Sequence, residues 1–319
     1  MKRASIRSWP IVRRILIWKK AWLWTRYFLA QSGVFERPEE TNSARARLRK
    51  DAHALEKGLS LPAIRPFFGR QKITKLIDDI DTARANEALD ADREVAESVL
   101  SAYGQWHSEN GHAEPFVEGL QDQFQPSAER SRLGGTITLE RPDPEAGSAG
   151  FDATVLSRRT VRNFSEKRVP REEIEAAVAV AWTSPSVCNR QPWAISLAQE
   201  KADVARILRW QAGNRGFAES IDTLLVVLAD TKAFVEDYEV FEPFVDAGIF
   251  SGVLVNALHA RGIGSCCLNL CVSHGVAERI ISELDAPRHL FPIMMIGCGY
   301  PQDDCEVAIS ARGPSVIVS

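Results

Sequence analysis

"SRRTVRNF", residues 157–164, places three arginines within five positions, beside a threonine and ahead of an aromatic ring. One reading is a solvated charge run before a helix. The other is an anion site, because guanidinium groups meet phosphate oxygens bidentately. The residues that follow favour a built site. "VPREEIEAAVAVAWTS" (169–184) predicts a helix, with Pro170 at the first helical position, where proline is tolerated. "SPSVCNRQPW" (184–193) then supplies Pro185, Asn189, Gln191 and Pro192, which are poor material for helix or strand. A shaped loop is therefore expected between that helix and a strand. Asn and Gln amides both donate and accept hydrogen bonds, which suits reading the polar edge of a flat heterocycle.

Further on, "WAISLA" (193–198) and "DTLLVVLAD" (222–230) predict short strands. "FVDAGIFSGVLVNALHARGIG" (244–264) predicts a long, mostly apolar helix ending at a glycine. "SHGVAERIISEL" (273–284) predicts another helix, with Ser273 as its cap. "LFPIMMIGCGYP" (290–301) predicts a buried strand that leaves through a Gly/Pro turn, and "SARGPS" puts Arg312 just beyond it. This alternation predicts a sheet covered by helices on both faces.

R-R-T-x-R-x-F, a helix, and P-S-x-x-N-x-Q-P-W resemble the nitroreductase family of FMN-dependent oxidoreductases. Asp246 and Gly248 opening a helix that ends in "RGIGS", the turn "GCGYP" (297–301), and Arg312 after it are similar to further family motifs in the same order. The resemblance spans residues 150–319. It implies an α+β fold: a three-layer sandwich with a mostly antiparallel central sheet covered by helices, here preceded by an all-α N-terminal domain. It implies that Arg158, Arg159, Thr160, Arg162 and Arg312 hold the FMN phosphate and ribityl chain. It places Pro185, Ser186, Asn189 and Gln191 along the flavin ring, and Gly264, Ser265, Cys266 and Cys267 near its reactive edge. It further implies a homodimer and NAD(P)H as co-substrate, with ping-pong transfer to a small organic electron acceptor. That scheme requires no catalytic side chain and no metal. No dinucleotide fingerprint is present. The chain departs from the family in two places: Gly252 and Val253 stand where the long helix often carries Gln-Asn, and the flavin-edge segment reads "SCCLNLC". Vicinal Cys266 and Cys267 read either as a redox pair or as small buried hydrophobes. His259, His274 and His289 read as structural.

The N-terminal half is of another kind. Residues 1–43 form a basic, Trp-rich segment: Lys2, Arg3, Arg7, Arg13, Arg14, Lys19, Lys20 and Arg26 precede the first acid, Glu36. Lys19 and Lys20 interrupt the apolar run, which argues against a membrane-spanning helix. Two readings remain, a helix lying in a membrane interface through residues 1–35, or one packed on the protein or a dimer partner. Residues 44–125 predict a helical domain, with Ile73, Leu76, Ile77 and Ile80 on one face and Gly58 closing the first helix. His53, Glu56 and Lys57 share a helical side. They read as a helix end with a salt bridge or as part of a lid over the cofactor. Residues 126–149 are rich in Pro, Gly, Ser and charge and predict a linker. This half is similar to N-terminal extensions of nitroreductase-like proteins that accompany bacterial polysaccharide biosynthesis.

The totals constrain function. The 319 residues suffice for two domains, and a net charge of -3 gives no global pull toward nucleic acid. The six cysteines form no CxxC pair, and no secretory leader with a small-residue cleavage site is evident, so reduced thiols in the cytoplasm, at the inner face of the membrane if the N-terminus binds lipid, are expected. Three functions compete: an FMN-dependent NAD(P)H oxidoreductase, a flavin enzyme with dehalogenase or oxidase chemistry, and a non-catalytic flavin-binding accessory of a membrane-associated polysaccharide assembly.

Overall fold

The structure is a computed structural model. It describes residues 10–37, 40–112, 114–124, 133–138, 144–308, 310 and 317. The chain forms two compact units that no single cut separates. One gathers the described residues of 1–141 with 185–192 and 230–246; the other gathers 142–184 and 193–229 with those of 247–319.

The first unit is helical. It contains α1 (Pro10–Gln31), α2 (Thr41–Leu59), α3 (Arg70–Ala83), α4 (Asp90–Glu109) and α5 (Pro115–Gln123). Leu48 and Leu55 of α2, Ile73, Leu76 and Ile80 of α3, and Val99, Leu100 and Tyr103 of α4 bury their apolar stripes in one core. Each such aliphatic side chain contributes ~1.5–3 kcal/mol on leaving water. Gly58 does not close α2, which runs on to Leu59. The glycine is needed for space: a Cβ there would stand 2.0 Å from the Phe68 ring. The Phe67–Phe68 turn is fixed by Tyr103, whose hydroxyl donates to the Phe68 carbonyl at 2.8 Å, and by His107, whose Nε2 accepts from the Phe67 amide at 2.9 Å. His53 meets Glu56 at 3.4 Å, and Glu56 accepts from the Gly135 amide at 3.1 Å, so this cluster ties a loop to a helix.

The second unit is the α+β sandwich. Its four strands, β1 (Trp193–Ala198), β2 (Thr223–Asp230), β3 (Gly264–Asn269) and β4 (Leu290–Gly299), lie in the order β1-β2-β4-β3. β1 with β2, and β3 with β4, are antiparallel. Alternation along β2 sends Leu225, Val227 and Ala229 to one face, against Ile174 and Ala177 of α7 (Arg171–Trp182) and Phe250, Leu254 and Leu258 of α9 (Glu242–His259). Leu224, Val226 and Leu228 face the other way, onto Val204 and Ile207 of α8 (Lys201–Leu208) and Ile280 of α10 (His274–Glu283). Pro170 precedes α7 as its cap and is not its first helical residue. β3, the cysteine-rich "GSCCLN", was not expected as a strand. α6 (Pro144–Ser157) begins inside the stretch read as linker. Its "AGSAG" is loop-like in composition and carries no apolar period, so the sequence hides the helix.

Candidate functional site

In the sandwich unit the arginine segment lies along one end of the β3–β4 pair. Thr160 bridges Ser265 in parallel, and the Val161 amide donates to the Ser265 carbonyl at 3.0 Å. Three residues on, Phe164 bridges Pro301, and the Ser165 amide donates to the Tyr300 carbonyl at 2.7 Å. Two glycines make this seat. Gly264 and Gly299 are direct partners across β3 and β4. A Cβ on Gly264 would fall 2.8 Å from Val161, and one on Gly299 would fall 3.1 Å from the Phe164 ring. A bare backbone patch thus receives the two apolar residues of the segment. Val161 and Phe164 are buried there, while Arg158 is half-buried and Arg159 and Arg162 are exposed.

Among the described residues, none of these three guanidiniums has a carboxylate partner. Arg159 Nη1 donates to the carbonyls of Leu156 and Arg158 at 2.6 and 2.9 Å. Elsewhere most of the described arginines are ion-paired, as Arg45, Arg93, Arg168 and Arg206 are. The neighbours register the excess of positive charge. Burial first, then Arg158 and Arg159, push the His259 imidazole below its ordinary value. His259 therefore stays neutral, and its Nε2 lies 2.9 Å from the Ser157 hydroxyl, tethering α6 to α9. Burial pushes the Cys266 thiol up against the opposing pull of Arg162, and desolvation, then the neighbouring Cys266, push the Cys267 thiol up against Arg158. Cys266 is buried and Cys267 is exposed on the same strand. Both remain thiols at neutral pH, unlike the low-pKa cysteines of redox centres.

The loop expected to line a flavin ring belongs to the other compact unit. Pro185–Pro192 is held there by Arg190, which no local sequence pattern marks. Its guanidinium is fully buried and grips Glu239 in a two-pronged pair, donates to the Ala233 carbonyl at 2.9 Å, and lies over the Phe234 ring at 5.4 Å. Arg49 of α2 donates to the Arg190 carbonyl at 2.8 Å. The Val187 amide donates to the carboxylate of Asp246 at 3.2 Å. Asp246 is buried, and desolvation pushes it up to about 6 against the Val187 hydrogen bond; Glu242 and Glu239 add to the rise and Arg190 opposes it. Cys188, Asn189 and Gln191 all adopt the left-handed region, at φ 49, 50 and 51. Such backbone is costly for residues other than glycine and persists where surroundings over-determine it. The Ser186 hydroxyl accepts from the Gln191 amide at 2.9 Å, and Gln191 Nε2 donates to Asn189 Oδ1 at 3.1 Å. Asn189 is exposed and Gln191 half-buried.

The structure thus brings Arg158, Arg159, Thr160 and Arg162 together with Gly264, Ser265, Cys266 and Cys267. Pro185, Ser186, Asn189 and Gln191 form a separate strained loop in the helical unit. Arg312 lies outside the described residues. Among the described residues no group of three or more His, Cys, Asp or Glu side chains is placed to hold a metal.

The second unit is thus an α+β sandwich with a cationic segment seated beside a glycine-opened strand pair. Residues 155–214 match the sequence profile described as Nitroreductase family. It is 23% identical over 165 residues to "FMN reductase [NAD(P)H]" of Bacillus subtilis, covering 47% of this chain and 65% of that one, just under two thirds. It is 25% identical over 195 residues to "Iodotyrosine deiodinase" of Nematostella vectensis, covering 52% of this chain and 73% of that one. Among solved structures, an FMN-dependent nitroreductase of Clostridium difficile R20291 covers 51% of this chain and 92% of its own, at 20% identity and a TM-score of 0.43.

Proposed function

We propose that the protein is an FMN-dependent oxidoreductase that uses NAD(P)H to reduce a small organic acceptor by a ping-pong mechanism. The observation that carries this reading is the Arg158–Arg162 segment. Three guanidiniums without carboxylate partners among the described residues, fixed on a glycine-paired sheet end, fit the phosphate of FMN by the chemistry of their donors. The match of residues 155–214 to the nitroreductase family profile and the name of the Bacillus subtilis relative support the choice of flavin. Arg158 and Arg162 would grip the phosphate, Thr160 would offer its hydroxyl, and the backbone of Gly264–Cys267 would offer amides and carbonyls. When bound, FMN supplies reversible two-electron chemistry, and the protein supplies orientation and charge. No side-chain acid or base is assigned.

The exposed Phe151 and Leu156 of α6 and Ile249 of α9, at 67, 71 and 40%, support a homodimer that covers them. All six cysteines are free, which supports a reducing, cytoplasmic setting. The deiodinase relative motivates a second reading, reductive dehalogenation of an aromatic substrate.

The test is the visible spectrum of purified protein under anaerobic NADH and then NADPH. Yellow protein that bleaches is the expected result; bound flavin that no nicotinamide reduces would leave only a binding role. Arg158→Ala should weaken FMN binding about tenfold, the worth of one charge-assisted hydrogen bond. Unchanged occupancy in the Arg158→Ala/Arg162→Ala double variant would sink the phosphate assignment. A panel of nitroaromatics, quinones and halotyrosines, followed by product analysis, separates the two chemistries.

A further inference from the structure

Helix α1 is held to its unit through its C-terminal part. Trp24 Nε1 donates to the Val240 carbonyl at 3.0 Å, the Trp24 ring meets Phe244 at 4.7 Å, and Phe28 is buried against Phe234. Another face carries Ile11, Ile15, Trp18 and Trp22, which are 71, 61, 76 and 58% exposed. Their spacing of four, three and four residues places all four on one stripe of the helix. At that spacing Arg14 borders the stripe on one side and Lys19 and Arg26 on the other, all exposed. The Arg26 guanidinium lies over the Trp22 ring at 5.5 Å. Residues 1–35 contain no Asp or Glu, although the whole chain carries a net charge of -3.

We propose that α1 docks the protein on an anionic lipid bilayer. It lies parallel to the surface, with the Ile11–Trp22 stripe in the boundary between headgroups and acyl chains. Tryptophan favours that boundary because its ring is amphipathic, and flanking arginine and lysine draw on the surface potential of anionic lipids. Charge disfavours a second copy of α1 as the occupant. Paired α1 helices would bring basic flanks together with no carboxylate to offset them. Among the described residues no helix is long and apolar enough to cross a membrane, so the mode is surface docking.

The experiment uses the full chain with sedimenting vesicles of phosphatidylcholine, alone or with about a third phosphatidylglycerol. The expected result is co-sedimentation with anionic vesicles, a blue shift of tryptophan emission, and release as salt screens the attraction. Trp18→Ser/Trp22→Ser should weaken binding at least tenfold, and Arg14→Gln or Lys19→Gln about fivefold each. Far-UV dichroism should not change, since these side chains are exposed. Wild-type protein that stays in the supernatant, or a double variant that binds as wild type does, would overturn the proposal. So would a double variant whose only change is a smaller mass in sedimentation equilibrium, because a second copy would then cover the stripe.

Discussion

The arginine segment at 158–162 and the loop at 185–192 are held in place by opposite means. The first rests on absence: two glycines facing each other across β3 and β4 leave bare backbone, and Val161 and Phe164 drop onto it. Among the described residues its guanidiniums meet no carboxylate, and Arg159 donates only to backbone carbonyls. The second rests on a buried ion pair. Arg190 and Glu239 are taken out of water, and around them three residues adopt left-handed backbone. Apolar seating spends no charge on holding the segment, whereas a polar network uses its charges up on the fold.

The contrast can be broken most forcefully at Arg190. Replacing Arg190 with Met leaves Glu239 buried without its partner, and removing one member of a buried pair costs ~3–5 kcal/mol. The Val235 and Glu236 amides still donate to Glu239, at 3.0 and 3.1 Å, which softens the loss. Urea unfolding of Arg190→Met should show the drop, and Lys at this position should restore little, because it lacks the planar fork. A midpoint unchanged within error would mean that the pair is not what holds the loop.

Gly264→Ala tests the other mode. Its Cβ would overlap Val161, and overpacking of this kind costs ~1–3 kcal/mol. Under the proposed function it should also weaken FMN binding, because the arginines move with Val161. Alanine at exposed Gly252, where a Cβ meets nothing, should leave flavin binding unchanged. Equal effects at the two positions would show that the seat does not depend on backbone contact.

The two segments also differ in how far the sequence exposes them. The arginine motif, the helix after it and the alternating strand β2 carry local signals, so their placement follows from spacing alone. The grip of Arg190 on Glu239 joins residues 49 positions apart, and no local pattern announces it. The same holds for Arg49, which reaches the Arg190 carbonyl and makes the loop part of the helical unit. β3 escaped because cysteine and glycine carry little strand preference; pairing with β4 decides its conformation. Gly58 looked like a helix stop because glycine serves both as a left-handed cap and as a place for a ring, and only the Phe68 contact tells the two apart.

Asp246 offers the finest probe of the polar loop. In the folded protein it holds its proton up to about pH 6, whereas the unfolded chain releases it near the ordinary aspartate value of 3.8. The folded state binds more protons between these values, so this residue's contribution is fully present below about pH 4 and is lost as pH rises through 6. Above that, the buried charge costs ~1–3 kcal/mol, reduced by the Val187 hydrogen bond. Asp246→Asn keeps an oxygen for Val187 and carries no charge. It should raise the midpoint of unfolding near neutral pH and leave it nearly unchanged at about pH 4. His107 acts in the opposite sense: burial pushes its imidazole down, so it favours unfolding as pH falls below its ordinary value of 6.5. The Asn variant retains His107, and the difference between its pH profile and that of the wild type isolates the carboxylate. A difference that is flat across this range would place Asp246 in water and remove it as a support of the strained loop.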